Sequence, residues 1–256
     1  MPSSFGSAYV GETFACSLCA TNELEHDAER AVVSIKMEVE MQTPSTKIPL
    51  NLTPDVDDEK FTIKPGESVQ KIVRFDLREE GTHVLGVSLS YSETTTFTDR
   101  SASSGRVRTF RKLYQFPAQP CLGVRTKITH LPAKSGQQEQ AIDYALEAQL
   151  ENLADGPLSL EKIDFNPRSE STFTVKSLNW DSGHEQDGQA TEQSPYLSPR
   201  DVWQVALFLQ GQHTPFPKDM LTKDGRTILG QLSLQWRTAM GNKGYLSTGW
   251  LLAKKP

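Results

Sequence analysis

The chain has 256 residues, 36% hydrophobic and 23% charged, with a formal net charge of -5, a length that allows one large or two ordinary domains. No apolar run approaches the ~20 residues of a membrane-spanning helix, and "MPSSFGSAYVGETF" lacks the basic start and apolar core of a secretory signal. Three cysteines are too few for a disulfide framework, so a cytoplasmic address is expected.

Strand-like alternation begins near the N-terminus. Phe14, Cys16, Leu18 and Ala20 share one face of a period-two pattern. Val33, Ile35, Met37, Val39 and Met41 share the next, with Ser34, Lys36, Glu38 and Glu40 turned away. The acidic run Asp55, Asp57, Asp58, Glu59 lacks the ligand order of a calcium loop and predicts a solvated turn. Phe61 and Ile63, the turn "KPGES" and the strand "VQKIVRFDL" follow.

In "EEGTHVLGVSLSY", residues 79–91, the residues His83, Leu85, Val87, Leu89 and Tyr91 form a bulky face, and Val84, Gly86, Ser88 and Ser90 a small one. This predicts a turn at Gly81 and Thr82, then a central strand with one buried side and His83 near the core edge. Residues 92–106 are polar and predict a loose hairpin tip; 133–140 and 181–194 are also predicted loose. Phe110, Tyr114 and Phe116 share a face and are predicted core. In "QFPAQPCLGV", Pro117 and Pro120 are expected to break strand continuation. Further on, Tyr144, Leu146, Ala148 and Leu150 alternate, as do Leu232, Leu234 and Trp236. No long stretch carries a 3.6-residue stripe with caps.

Three stretches recur in order. "ETFACSLCATN" is echoed by "DYALEAQLEN", "FTIKPGESVQKIVRFDL" by "PYLSPRDVWQVALFL", and "HVLGVSLSY" by "TILGQLSLQW". The repeat implies two similar domains in tandem, 1–118 and 119–256. The expected fold is all-β: two immunoglobulin-like β-sandwiches without core disulfides.

Catalytic and metal patterns are weak. Cys16 and Cys19 spell C-x-x-C, but residues three apart on a strand face opposite sides, so the sulfurs do not converge. The histidines at 26, 83, 130, 184 and 213 show no ligand spacing, and no G-x-S-x-G, H-E-x-x-H, G-x-G-x-x-G or P-loop occurs. No catalytic residue, metal or cofactor is assigned, although a triad assembled from distant residues stays open. Charge is more informative. From Arg100 to Gln138 there is no acid, and the bases are Arg100, Arg106, Arg108, Arg111, Lys112, Arg125, Lys127 and Lys134. Arg100, Arg106, Arg108, Arg111, Lys112, Arg125 and Lys127 make a candidate docking patch for an acidic protein or an anionic membrane. The alternative is a solvated strand edge whose cations block unwanted pairing. Nucleic acid is not expected, because the nearby aromatics are assigned to the core.

The ordered set "GETFACSL", "EEGTHVLGVSLSY", "FRKLYQF" with "LGVRTKI", "LEAQLENL" with "LSLEKIDF", "YLSPRDVWQ" and "GYLSTGWL" resembles the family of subunit 13 of the TRAPP tethering complex, in a fungal version. The resemblance runs from about residue 5 to 252. It implies a non-enzymatic accessory subunit of a complex that acts as exchange factor for a Rab GTPase in early secretory, Golgi and autophagy traffic. Its implied partners are other TRAPP subunits and, indirectly, the Rab. Compared with the family, the chain is expected to be shortened at one or both ends, to lack an edge strand in its first domain, and to carry a longer loop at 92–106. Two other functions remain open: a peptide- or cargo-binding adaptor outside TRAPP, and a hydrolase built across loops.

Overall fold

The computed structural model describes residues 8–25, 30–53, 63–96, 103–132, 142–168, 173–180, 195–211 and 225–254. Arg100, the acidic run 55–59, the segments 133–140 and 181–194, and His26, His184 and His213 lie outside them. The described residues form strands and no helix, as the alternation predicted. The chain divides into two compact units, Met1–Gln119 and Pro120–Pro256.

In the first unit, β1 (Ala8–Val10), β3 (Arg30–Gln42), β4 (Lys47–Leu50), β6 (Gly81–Thr96) and β7 (Ser103–Pro120) form one sheet, ordered β1-β7-β6-β3-β4. β2 (Thr13–Thr21) and β5 (Ser68–Asp76) form a second, smaller sheet, and Thr53 bridges the far side of β5 at Ile72. The inward faces of both sheets meet in one buried cluster that includes Phe14, Val73, Met37, Val39, Met41, Leu85, Leu89 and Phe116. Met41 and Leu85 are fully buried, each contributing about 2–3 kcal/mol of apolar transfer.

Two sequence expectations shift here. Val33 does not share the buried face. A bulge between Val33 and Lys36, with Ser34 at a φ of 55°, inserts an extra residue and reverses the parity of β3. Val32 is therefore inward before the bulge, and Ile35, Met37, Val39 and Met41 after it. The hairpin tip is also shorter than 92–106. β6 and β7 stay paired from Gly81 with Ala118 out to Thr96 with Ser103.

Pro117 does not end β7 either; it pairs with Thr82 inside the strand. His83 is fully buried rather than at a core edge. Its ring stacks on Phe116 at 5.7 Å, and its Nδ1 lies 3.1 Å from the Gly81 carbonyl. The acids before it have a structural role. Glu79 accepts hydrogen bonds from the Ser45 hydroxyl at 2.6 Å, the Ser45 N–H at 3.0 Å and the Thr43 hydroxyl at 3.3 Å, closing the β3–β4 turn. The Ser45 hydroxyl is the main reason its carboxyl titrates below the ordinary glutamate range.

In the second unit, β10 (Leu158–Pro167), β12 (Tyr196–Leu197), β14 (Thr227–Thr238) and β15 (Lys243–Ser247) form a sheet ordered β12-β10-β14-β15. β16 (Leu251–Ala253) also pairs with β14. β8 (Leu122–Leu131), β9 (Asp143–Asn152), β11 (Phe173–Ser177) and β13 (Val202–Gly211) form the other, ordered β11-β13-β9-β8. Tyr144, Leu146, Ala148 and Leu150 are buried as their spacing predicted, and so are Leu232, Leu234 and Trp236. A bulge between Leu160 and Lys162 again switches parity, from Leu158 and Leu160 to Ile163 and Phe165. Burial pushes the Tyr144 phenol up.

The sequence repeat corresponds to a structural one. β2 pairs with β5 as β9 pairs with β13, and β3 with β6 as β10 with β14. Each unit also holds the same corner. Asn22 donates through Nδ2 to the Ile63 carbonyl at 2.8 Å and accepts at Oδ1 from the Leu24 N–H at 3.1 Å. Asn152 donates to the Leu197 carbonyl at 3.0 Å and accepts from the Ala154 N–H at 2.9 Å. The backbone of Asn22 pairs with Gly66 and Glu67, and that of Asn152 with Arg200 and Asp201. In each turn a proline is followed by a positive φ, 81° at Gly66 and 73° at Arg200. An acid then caps the turn: Glu67 accepts from the Lys64 N–H at 2.9 Å, and Asp201 from the Ser198 N–H at 2.8 Å.

All four tryptophans, at 180, 203, 236 and 250, lie in the second unit, so their fluorescence isolates its unfolding. Asn152→Ala leaves the Leu197 carbonyl and the Ala154 N–H without their side-chain partner. A loss of about 2–4 kcal/mol is expected by urea denaturation followed at tryptophan; an unchanged midpoint would remove the corner's role. Glu79 makes a second test. Its folded pKa is lowered, so its contribution is present above the unfolded value of about 4.3 and is lost as pH falls toward the folded one. The stability gap between wild type and Glu79→Gln should therefore be widest near neutral pH and shrink in acid; a gap flat from pH 7 to 3 contradicts this.

Candidate docking surface

β7 carries most of the predicted basic patch. Even-numbered residues face inward, ending in buried Phe116 and Ala118, and odd-numbered ones face outward. Arg106, Arg108 and Lys112 therefore share the inward face, and Arg111 the outward one. All four are exposed. Phe110, predicted core, is 45% exposed, because the smaller sheet does not cover that part of β7.

The patch is more neutralised than the sequence implied. Arg108 Nε lies 2.9 Å from Glu93 of β6. Arg111 reaches across β6 to Glu40 of β3, whose other oxygen meets Lys47 at 2.8 Å. Gly86 sits beneath this link, and a Cβ there would come within 3.0 Å of Glu40 and 3.2 Å of Arg111. That proximity explains the glycine in the small face of "HVLGVSLSY". In the second unit, Arg125 pairs with Glu151 at 3.3 Å and Lys127 with Glu147 at 3.4 Å. These contacts support the strand-edge alternative for Arg108, Arg111, Arg125 and Lys127. Among the described residues, no carboxylate lies within ion-pair distance of Arg106 or Lys112.

One concavity of the first unit carries no signal in the sequence. A groove of about 610 Å³ runs along β2 from Ser17 to Thr21, between the two sheets. Its floor is made by Met37, Val87, Leu89, Tyr91, Phe110 and Tyr114 of the larger sheet, with Lys112 and Glu93 at its border. Among the described residues, β5 is the sole ladder partner of β2, so its other edge faces this groove. Cys16 and Cys19 take opposite faces as predicted, one half-buried and inward, one exposed. Burial pushes the Cys16 thiol up, which disfavours the thiolate.

Residues 1–118 match the N-terminal domain, and residues 122–256 the middle domain, of trafficking protein particle complex subunit 13. The protein of that name from Pongo abelii is 27% identical over 256 residues, covering 100% of this chain and 56% of the relative. That from Danio rerio is 27% identical over 257 residues, with the same shares. The probable homologue from Drosophila melanogaster is 25% identical over 269 residues, covering 98% of this chain and 51% of the relative. The chain thus spans about half the length of the curated relatives it matches. Among solved structures, the YadV chaperone covers 96% of each chain at 10% identity with a TM-score of 0.24. Red sea bream transglutaminase matches 98% of this chain and 30% of its own, at 14% identity and a TM-score of 0.26. Scores this low carry no argument. With both of its units matched in order, the chain belongs to the family of trafficking protein particle complex subunit 13.

Proposed function

We propose that the chain is a non-catalytic accessory subunit of a TRAPP tethering complex, the exchange factor for a Rab GTPase in early secretory, Golgi and autophagy traffic. The ordered family match across both units supports this reading most directly. On this proposal each unit is an immunoglobulin-like sandwich, bounded at 1–118 and 119–256, that serves as a rigid presenter of surfaces. Its direct partners are other TRAPP subunits; the Rab is reached through them. It works in the cytoplasm, peripherally on Golgi, early secretory or autophagic membranes.

The inward cations of β7 are the part of the basic patch that suits docking best. Arg106 and Lys112 spend no charge on a carboxylate among the described residues, so an acidic subunit or an anionic membrane surface gains their attraction. Arg108 and Arg111 are held by Glu93 and Glu40, and reversing them sets carboxylate against carboxylate inside the sheet. A peptide-binding adaptor outside TRAPP is favoured by one observation, the groove beside β2.

Tagged at its C-terminus and purified gently from its own cells, the chain should travel with TRAPP subunits and exchange activity. The double variant Arg106→Glu/Lys112→Glu should keep its fold and lose about tenfold in recovery of the complex or of membrane. Migration near the 28.5 kDa monomer mass without TRAPP subunits contradicts the subunit reading. Undiminished recovery with the variant removes the basic face from it.

A further inference from the structure

The Asn22 and Asn152 corners share their hydrogen bonds but not the side chains around them. In the first unit Thr21 of β2 pairs with Ser68 of β5, and the turn ahead of β5 takes its positive φ at Gly66. In the second unit the matching pair is Glu151 and Val202, and the matching turn takes its positive φ at Arg200. The first unit thus builds the corner with a glycine and without these charges. An arginine at a φ of 73° is strained, and its long contact with Glu151, at 3.9 Å, contributes little in return. The fold does not account for the Arg200 side chain. Arg125 of β8 meets the same carboxylate at 3.3 Å, through the other oxygen. Two guanidiniums straddle one glutamate, and one positive charge is left over.

We infer that Arg125 and Arg200 form a fork for the phosphate of a lipid headgroup at a membrane surface. The inference goes beyond the subunit reading and does not depend on it. Glu151 marks the fit. A carboxylate already lies between the guanidiniums, one oxygen to each, and guanidinium donors take phosphate oxygens in the same way. The arginine side chains are 77% and 76% exposed, so a bound anion stays open to water. A lone soluble phosphate is held weakly at so open a place, whereas a headgroup layer offers phosphate to several cations at once. Val202, 55% exposed, stands beside Glu151 on the same face. It gives such a layer an apolar contact that a soluble anion cannot use. The other nearby charges are engaged, Lys127 with Glu147 at 3.4 Å and Asp201 with the Ser198 N–H at 2.8 Å.

The test is partition of the whole chain onto phosphatidylcholine vesicles carrying phosphatidic acid, read by co-sedimentation. Binding is expected there and not on phosphatidylcholine alone. Arg200→Gly and Arg125→Gln should each lower it about fivefold, and Glu151→Gln should raise it about fivefold by removing the competing carboxylate. Lys243→Gln, on β15 in the other sheet, should change it little. Arg200→Gly should also hold or raise the urea midpoint followed at tryptophan, because glycine accepts the positive φ. All these variants keep Arg106 and Lys112, so their differences report the fork alone. The inference is overturned by unchanged partition of either arginine variant, or by an equal loss with Lys243→Gln. A lowered urea midpoint for Arg200→Gly would make the side chain structural and overturn it too. Displacement from the vesicles by glycerol phosphate or a phosphoserine peptide, at a concentration matching the lipid phosphate, would give the fork to a soluble phosphate and overturn the membrane assignment. So would a longer form of the polypeptide, or the recovered TRAPP assembly, in which the arginine variants bind vesicles as wild type does because the face is covered. Each of these outcomes leaves co-purification with TRAPP subunits untouched, so this test and that of the subunit reading fail separately.

Discussion

Both units hang on a buried asparagine. Asn22 sits just past the end of β2, and Asn152 ends β9, so each belongs by its backbone to one sheet. The Nδ2 of each reaches a carbonyl tied to the other sheet. Ile63 bridges Val32 of β3, and Leu197 pairs with Leu158 of β10. One side chain thus fixes the spacing of two sheets and the turn that feeds β5 or β13. A buried amide without those partners would cost more than its bonds contribute. The corner therefore forms with all its members or not at all. Around it the proline, the positive φ and the capping acid are consequences of the same geometry. Gly66 meets the positive φ without steric cost; Arg200 holds it as a non-glycine residue, with the strain that entails.

That corner was partly visible in the sequence. The echo of "KPGES" in "SPRDV" recorded the turn, and the matching asparagines closed two other echoed stretches. What the letters could not say was that asparagine and turn, some 40 residues apart, touch. The inward faces were legible wherever the period of two held, as along β9 and β6. They failed at the bulge of β3, because a single extra residue at Ser34 reverses parity while leaving the apolar composition unchanged. Charges were legible as a run of bases. Their partners were not, because Glu40 and Glu93 are neighbours only through strand register. The groove was least legible of all. It lies at a strand position that no described residue fills, and Phe110 looks like core until the covering sheet is found to stop short of it.

The same scaffold therefore presents two different surfaces. The second unit closes its smaller sheet with β8, whose cations are spent on Glu147 and Glu151. In the first, among the described residues, β5 alone pairs with β2 in a ladder, and no carboxylate lies within ion-pair distance of Arg106 or Lys112. The corner shared by both units, to which Asn152 adds a bond to the Gly156 carbonyl at 3.0 Å, holds each pair of sheets in fixed register.

The central claim is that one frame, built twice, is filled on both sides of β9 and, among the described residues, on one side of β2. Residue-resolved amide hydrogen exchange on the free chain tests it most directly. The account predicts protection at successive residues along the paired length of β9, but at alternate residues along Cys16 to Ala20, with the intervening amides exchanging within the dead time. Uniform protection along β2 would show that its second edge is already paired, and would contradict the account.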